Sequence, residues 1–147
     1  MKYSLLMALS MFALLIFFFG WLLPHSSDEL VATAVMSWGV GDALAALIGK
    51  RFGKRKLVSK GVDRKKTWVG SNAMSISVSI VAFLMVMFHI GALWWVALVI
   101  ALIIGPVSAL IEAYMHKGLD TIVLPLGIAT TIYVILLVFT LTGHGGV

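Results

Sequence analysis

The chain contains no cysteine, so disulfides and thiolate chemistry are both excluded. Charge is scarce: only 12% of the 147 residues are Asp, Glu, Lys or Arg. Residues 3–27, 67–111 and 121–147 carry none at all. A soluble domain of this size is not built that way. The uncharged runs do not alternate apolar with polar residues, which speaks against barrel strands. No small-x-small cleavage site follows the first apolar stretch, which is also too long for a typical signal peptide, so it reads as a retained helix. There is no G-x-x-x-x-G-K-[ST] string, and the segment GVGDAL has Leu44 where a dinucleotide fingerprint needs a third glycine. Internal repeats, low-complexity linkers and a second domain are not apparent.

What is present is hydrophobic, at 61% of residues. A span needs about 20 apolar residues to cross the hydrocarbon core, and a backbone in lipid must satisfy its own hydrogen bonds. The expected fold is an all-α integral membrane bundle of about five transmembrane helices, with residues 1–147 as a single domain. The expected spans are 3–23, ended by Pro24, then 30–49, 68–89, 92–111 and 121–142, with His89-Ile90-Gly91 as the break between the third and fourth. Such a bundle has few helices with which to enclose a ligand, which suits a homodimer.

All eleven Lys and Arg fall on one side of this five-span arrangement: Lys2, nine residues between Lys50 and Lys66, and Lys117. The other side holds Asp28 and Glu29. The positive-inside rule then places the N-terminus and the basic 50–66 loop in the cytoplasm and the C-terminus outside, in the plasma membrane of a prokaryote. Trp21, Trp94 and Trp95 fall near the outer interface and Trp68 near the inner one.

Six acids remain in the chain, and three invite chemistry. Asp42 lies eight residues before Lys50, about 12 Å deeper if the helix is continuous. An ionisable group at such depth is costly unless it is paired or hydrated, so it marks a candidate site. Gly39, Asp42, Ala45, Ala46 and Gly49 follow one helical stripe, which is expected to admit a neighbouring helix or a ligand. Glu112 and Asp120 bracket a short loop on the same side as the basic segment, with Ser108 one turn before Glu112. Together the three carboxylates could converge at the mouth of the bundle and hold Mg²⁺ against a polyphosphate. The basic loop combines Lys50 and Lys54 with Gly49, Gly53 and Gly61, which allow tight backbone turns. A basic loop also fixes topology and attracts anionic lipid, so composition leaves both readings open. The third span starts with Lys65, Lys66, Thr67, Gly70 and Ser71, and a helix start offers N–H groups to anions. Asn72, Ser75 and Ser79 continue a polar stripe that helix–helix hydrogen bonds would explain. The histidines show no persuasive metal-ligand spacing.

Three segments, taken in order, resemble the membrane-embedded CTP-dependent lipid kinases (dolichol kinase, phytol kinase and the CTP-using diacylglycerol kinase). They are Gly41-Asp42-Ala43 with GKRFGK, Lys65-Lys66-Thr67 with Gly70-Ser71, and Glu112-Ala113 with GLDTIVLPL. The likeness covers about residues 37–127. Asp120-Thr121 stands where that family has Asp-Asn. The resemblance implies transfer of a phosphoryl group from CTP to a lipid alcohol: a polyprenol, a phytol-like alcohol or diacylglycerol. It implies catalytic and metal roles for Asp42, Glu112 and Asp120, and nucleotide contacts from Gly41, Gly49, Lys50, Gly53, Lys54, Lys65, Lys66, Thr67, Gly70 and Ser71. The implied partners are the lipid alcohol, the nucleotide and membrane lipids; nucleic acid is not among them. The segment GKRFGKRKL with KKTWVGS also resembles phosphatidate cytidylyltransferase, although Gly143-His144-Gly145-Gly146 follows the last span and no acids accompany it. A small transporter or channel subunit with Asp42 as an ion or proton site, and an assembly factor whose basic loop reads anionic lipid, are the readings outside enzymology.

The charge asymmetry generates a direct test. Lys60→Cys in this cysteine-free chain is expected to be unreactive toward a membrane-impermeant maleimide in intact cells and reactive after lysis. Labelling from outside would overturn the orientation.

Overall fold

The computed structural model describes residues 2–15, 17, 27–56, 67–115 and 120–143. It contains five helices: α1 (Lys2–Leu15), α2 (Ser27–Phe52), α3 (Trp68–Phe88), α4 (Trp94–Tyr114) and α5 (Asp120–Leu141). Each of the last four contains a stretch of 21 to 25 residues apolar and long enough to cross a membrane. In α1 the described helix runs for 14 residues, about 21 Å. The sequence places the third, fourth and fifth spans within three residues of their observed ends. Gly91, at φ +76°, makes the expected break between α3 and α4, in a left-handed conformation that costs glycine little.

Antiparallel neighbours form the bundle. α2 packs on α3 and α3 on α4; α5 closes the layer against both α4 and α2, and α1 lies on α5. Lipid is as apolar as the side chains, so the hydrophobic effect cannot drive one helix onto another inside the bilayer. Close backbone approach through small residues does that work here. On α2, Gly41, Ala45 and Gly49 recur every four residues, which puts them along one side of the helix, and Gly53 follows just past its end. A methyl group at Gly41 would come within 2.5 Å of Val78 Cγ2, and one at Gly49 within 3.4 Å of the Gly70 Cα. One at Gly70 would in turn meet the Ala45 carbonyl oxygen at 3.2 Å. As α2 rises from 41 to 49, its contacts on α3 fall from 78 to 70, so the seam is antiparallel. The stripe expected from Gly39, Asp42, Ala45, Ala46 and Gly49 is therefore corrected. The face against α3 runs through Gly41, and a methyl group at Gly39 would meet nothing within 4 Å.

The α3–α4 seam uses the same device. Gly105 lies against Ser75 and Ser79, and Ser79 Oγ donates to the Ala101 carbonyl oxygen at 2.8 Å. The polar stripe thus serves helix pairing at Ser79, as expected, while Asn72 stays exposed. At the far end of the bundle, Trp95 meets Phe139 edge-on, with ring centroids 5.1 Å apart. The core between the helices is made by Leu30, Met74, Val78, Ile100, Ile104, Leu124, Ile128 and Ile132, all almost fully buried.

The seam makes opposite predictions for two glycines. Gly105→Ala forces a methyl group onto Ser79 and is expected to lower the melting temperature in detergent, at a cost of about 1–3 kcal/mol. Gly39→Ala meets open space and should raise it, by about 0.5–1 kcal/mol of recovered helix propensity. Equal effects at the two positions would contradict the packing.

Candidate active site at the basic end of the bundle

The antiparallel arrangement gathers four chain ends at one end of the bundle: the C-terminus of α2, the start of α3, the C-terminus of α4 and the start of α5. Lys50, Arg51, Lys54, Arg55 and Lys56 are all exposed there. The chain leaving α2 is held against α3 rather than projecting away. Gly53 N donates to Gly49 O at 3.0 Å, Trp68 N donates to Arg55 O at 3.3 Å, and Lys56 pairs with Thr67 in an isolated antiparallel bridge. Thr67 is the hinge of this corner. It is extended, caps α3 by accepting from Gly70 N at 3.2 Å, and touches both Gly49 and Gly53. Any side chain at Gly53 would collide with the Gly49 carbonyl oxygen and with Thr67.

Two expectations change as a result. Gly49, Gly53 and Gly61 were expected to permit tight turns; Gly61 lies outside the described residues, and neither Gly49 nor Gly53 has a positive φ, so these two serve the contact of the α2 end with the start of α3. Gly41 is buried against Met74 and Val78, so it packs inside the bundle, two turns of α2 below the basic end, and not beside the cations as the resemblance implied. The start of α3 also has fewer free donors than a bare helix end, because Trp68 N and Gly70 N are engaged. Charge for an anion must come chiefly from side chains. Lys65 and Lys66 lie outside the described residues, as do the rest of the 57–66 loop, residues 116–119, Trp21 and the 144–147 tail.

The acids can be placed by following the seam. Val40 and Asp42 flank Gly41, about 100° to either side of the helix face that meets α3. Val69 and Ser71 flank Gly70 in the same manner. Val40 and Val69 line one groove together, so they share a side of the seam. Asp42 and Ser71 therefore share the other side, the one against which α4 packs. There Ser71 Oγ lies 3.4 Å from the Ala109 carbonyl oxygen and 3.5 Å from Glu112 Oε2, at hydrogen-bonding reach. Asp42 and Glu112 both take part in further polar interactions.

They share a side of the seam but not a level. Asp42 is paired with the level of Met74 and Val78, and Glu112 with that of Ser71, which places Asp42 roughly 10 Å deeper along α2. Asp42 is exposed there, half-open to the space beside the seam. The expected convergence of three carboxylates at the mouth is reduced accordingly. Among the described residues no three His, Cys, Asp or Glu side chains are gathered closely enough to hold a metal ion. The backbone of Asp120 opens α5 at the basic end, and its side chain lies outside the described residues.

Between the two levels lies Ser108, on the same face of α4 as Glu112 and one turn before it. Its hydroxyl is fully buried and has no protein partner. A buried hydroxyl in that state calls for a water or a ligand. The sequence singled out Ser108 only as a neighbour of Glu112; no motif marks it.

Over 99 residues, 67% of the chain, it is 32% identical to a phytol kinase of Synechocystis sp.. Over 105 residues, 70% of the chain, it is 35% identical to a dolichol kinase of Schizosaccharomyces pombe. By sequence, the chain is a homologue of these lipid kinases. The matched parts make up 40% of the phytol kinase and 19% of the dolichol kinase, so the chain spans less than half the length of either. No family model and no solved structure matches it. Four membrane-length helices and these homologues together make it an integral membrane protein.

Proposed function

We propose that the chain phosphorylates a membrane lipid alcohol, with CTP as donor, at a cytoplasmic basic end of the bundle. One observation carries this reading. In a homologue of phytol and dolichol kinases, the Gly49–Thr67–Gly70 corner holds the basic segment that leaves α2 against the start of α3, where Ser71 reaches Glu112. The polyphosphate would lie along that corner, held by Lys50 and Lys54 and, from beyond the described residues, Lys65 and Lys66. The donor set at the mouth, Glu112 with Asp120, is all hard oxygen and suits Mg²⁺, which takes one or two carboxylates and completes its shell with phosphate and water. When bound, the ion would neutralise charge on the phosphate oxygens.

The alcohol arrives from the bilayer and the nucleotide from water, so the acceptor hydroxyl approaches from the deeper side. Asp42 is the acid on that side and is assigned as the base. The alcohol oxygen bonds to the γ-phosphorus, the bond to the bridging oxygen breaks, CDP leaves, and the hydroxyl proton passes to the Asp42 carboxylate. Ser71 would orient Glu112. Phosphoryl transfer of this kind is mostly positioning and charge stabilisation. Polyprenol, phytol-like alcohol and diacylglycerol all present the required hydroxyl.

The test is turnover of the purified chain in nanodiscs with γ-labelled CTP, Mg²⁺ and a panel of lipid alcohols. Label should enter the lipid, and ATP should be a poorer donor. Asp42→Asn should retain CTP binding and lose at least about 100-fold in rate, about 3 kcal/mol. Glu112→Gln should instead raise the Mg²⁺ concentration needed for half-maximal rate. Near-normal turnover by Asp42→Asn, with an unchanged or higher melting point, would make Asp42 a structural acid.

A further inference from the structure

The side of the α2–α3 seam opposite Asp42 is also shaped. It holds a groove of about 580 Å³, walled by Val40, Leu44 and Ile48 of α2 and by Val69, Ile76 and Ile80 of α3. Ser77 also lines it, but its hydroxyl donates to the Ala73 carbonyl oxygen of its own helix at 2.6 Å and leaves the wall apolar. Asn72 is the polar exception, exposed near the end of the groove closest to the start of α3.

Arg51 continues the α2 wall upward. Val40, Leu44, Ile48 and Arg51 are spaced by four, four and three residues, so they share one helix face. Arg51 is exposed, with its guanidinium carbon 5.8 Å from the centre of the Phe52 ring. Trp68, exposed at the start of α3 one residue before Val69 of the wall, marks this end as the headgroup level, where amphipathic aromatic rings settle. From Ile48 down to Val40 is eight residues, about 12 Å. One leaflet of the hydrocarbon core is about 15 Å deep, half of about 30 Å.

We propose that this groove is a binding site for an anionic phospholipid of the basic-end leaflet. Its phosphate sits on Arg51 and one acyl chain lies between α2 and α3. The charge, the aromatic level and the depth of the groove each fit that ligand. A neutral lipid alcohol would bring no charge to Arg51. The site is separate from the proposed catalytic side, because Val40 and Asp42 stand on opposite flanks of Gly41, and it does not depend on the kinase reading.

Spin-labelled phosphatidylglycerol and phosphatidylcholine, in vesicles reconstituted with the chain, measure this directly through the motionally restricted fraction of each label. One cation at the surface predicts about a fivefold preference for phosphatidylglycerol. Arg51→Gln should lower that preference several-fold, whereas Lys56→Gln, beyond the end of α2, should leave it nearly unchanged. Ala73→Trp, which fills the groove, should lower the restricted fraction of both lipids. Parity in the unmodified chain, or a preference that Arg51→Gln leaves unchanged, would overturn the proposal. So would disulfide cross-linking between chains through Ile76→Cys that is faster than through Leu102→Cys on α4, since the groove would then belong to a second copy.

Discussion

The contact between Gly49 of α2 and Gly70 of α3 is the constraint on which the rest of the structure depends. Two helices in lipid gain little by hiding apolar surface, so they must gain by dispersion at close range. A side chain at either glycine would hold the backbones apart. With both absent, the Ala45 carbonyl and the Thr67 hydroxyl also come into contact range. The crossing then fixes where the basic segment goes. Gly53 has no choice but to lie against Thr67, and Arg55 and Lys56 pair with the start of α3. Five cations that could have spread into water are instead tethered over one corner of the bundle.

The seam also divides the bundle into two environments. On the α4 side stand Asp42, Ser71, the buried hydroxyl of Ser108 and Glu112, a line of polar groups descending from the mouth. On the other side the walls are aliphatic and open to lipid. Neighbours in sequence are sent to opposite sides, as with Val40 and Asp42 around Gly41, or Val69 and Ser71 around Gly70. The proposed reaction would draw on such a division, with water and nucleotide reaching one flank while hydrocarbon covers the other.

Much of the fold was legible in the sequence, because each uncharged run is about one membrane thickness long and each break carries charge or glycine. His89-Ile90-Gly91 was readable for that reason. The seam was harder. Asp42 is the acid that the sequence sets deepest below the basic loop, and a stripe through it is the natural reading, whereas the four-residue spacing of Gly41, Ala45, Gly49 and Gly53 is the better signal. The motif glycines were assigned to turns and phosphate because glycine serves both purposes; only contacts distinguish those from helix packing. The grouping of Ser71 with Glu112 could be guessed from their motifs, but their level relative to Asp42 could not. Depth depends on how helices slide past one another, and no local pattern encodes that.

Hydrogen–deuterium exchange of the purified chain in nanodiscs, with and without CTP and Mg²⁺, is the most direct measurement of whether the tethered corner receives the nucleotide. Slower exchange is predicted at the amides of residues 53–56 and 67–71, with no change around residues 89–95 at the opposite end. Protection at 89–95, or unchanged exchange at 53–56 and 67–71 under conditions where label passes from CTP to lipid, would contradict it.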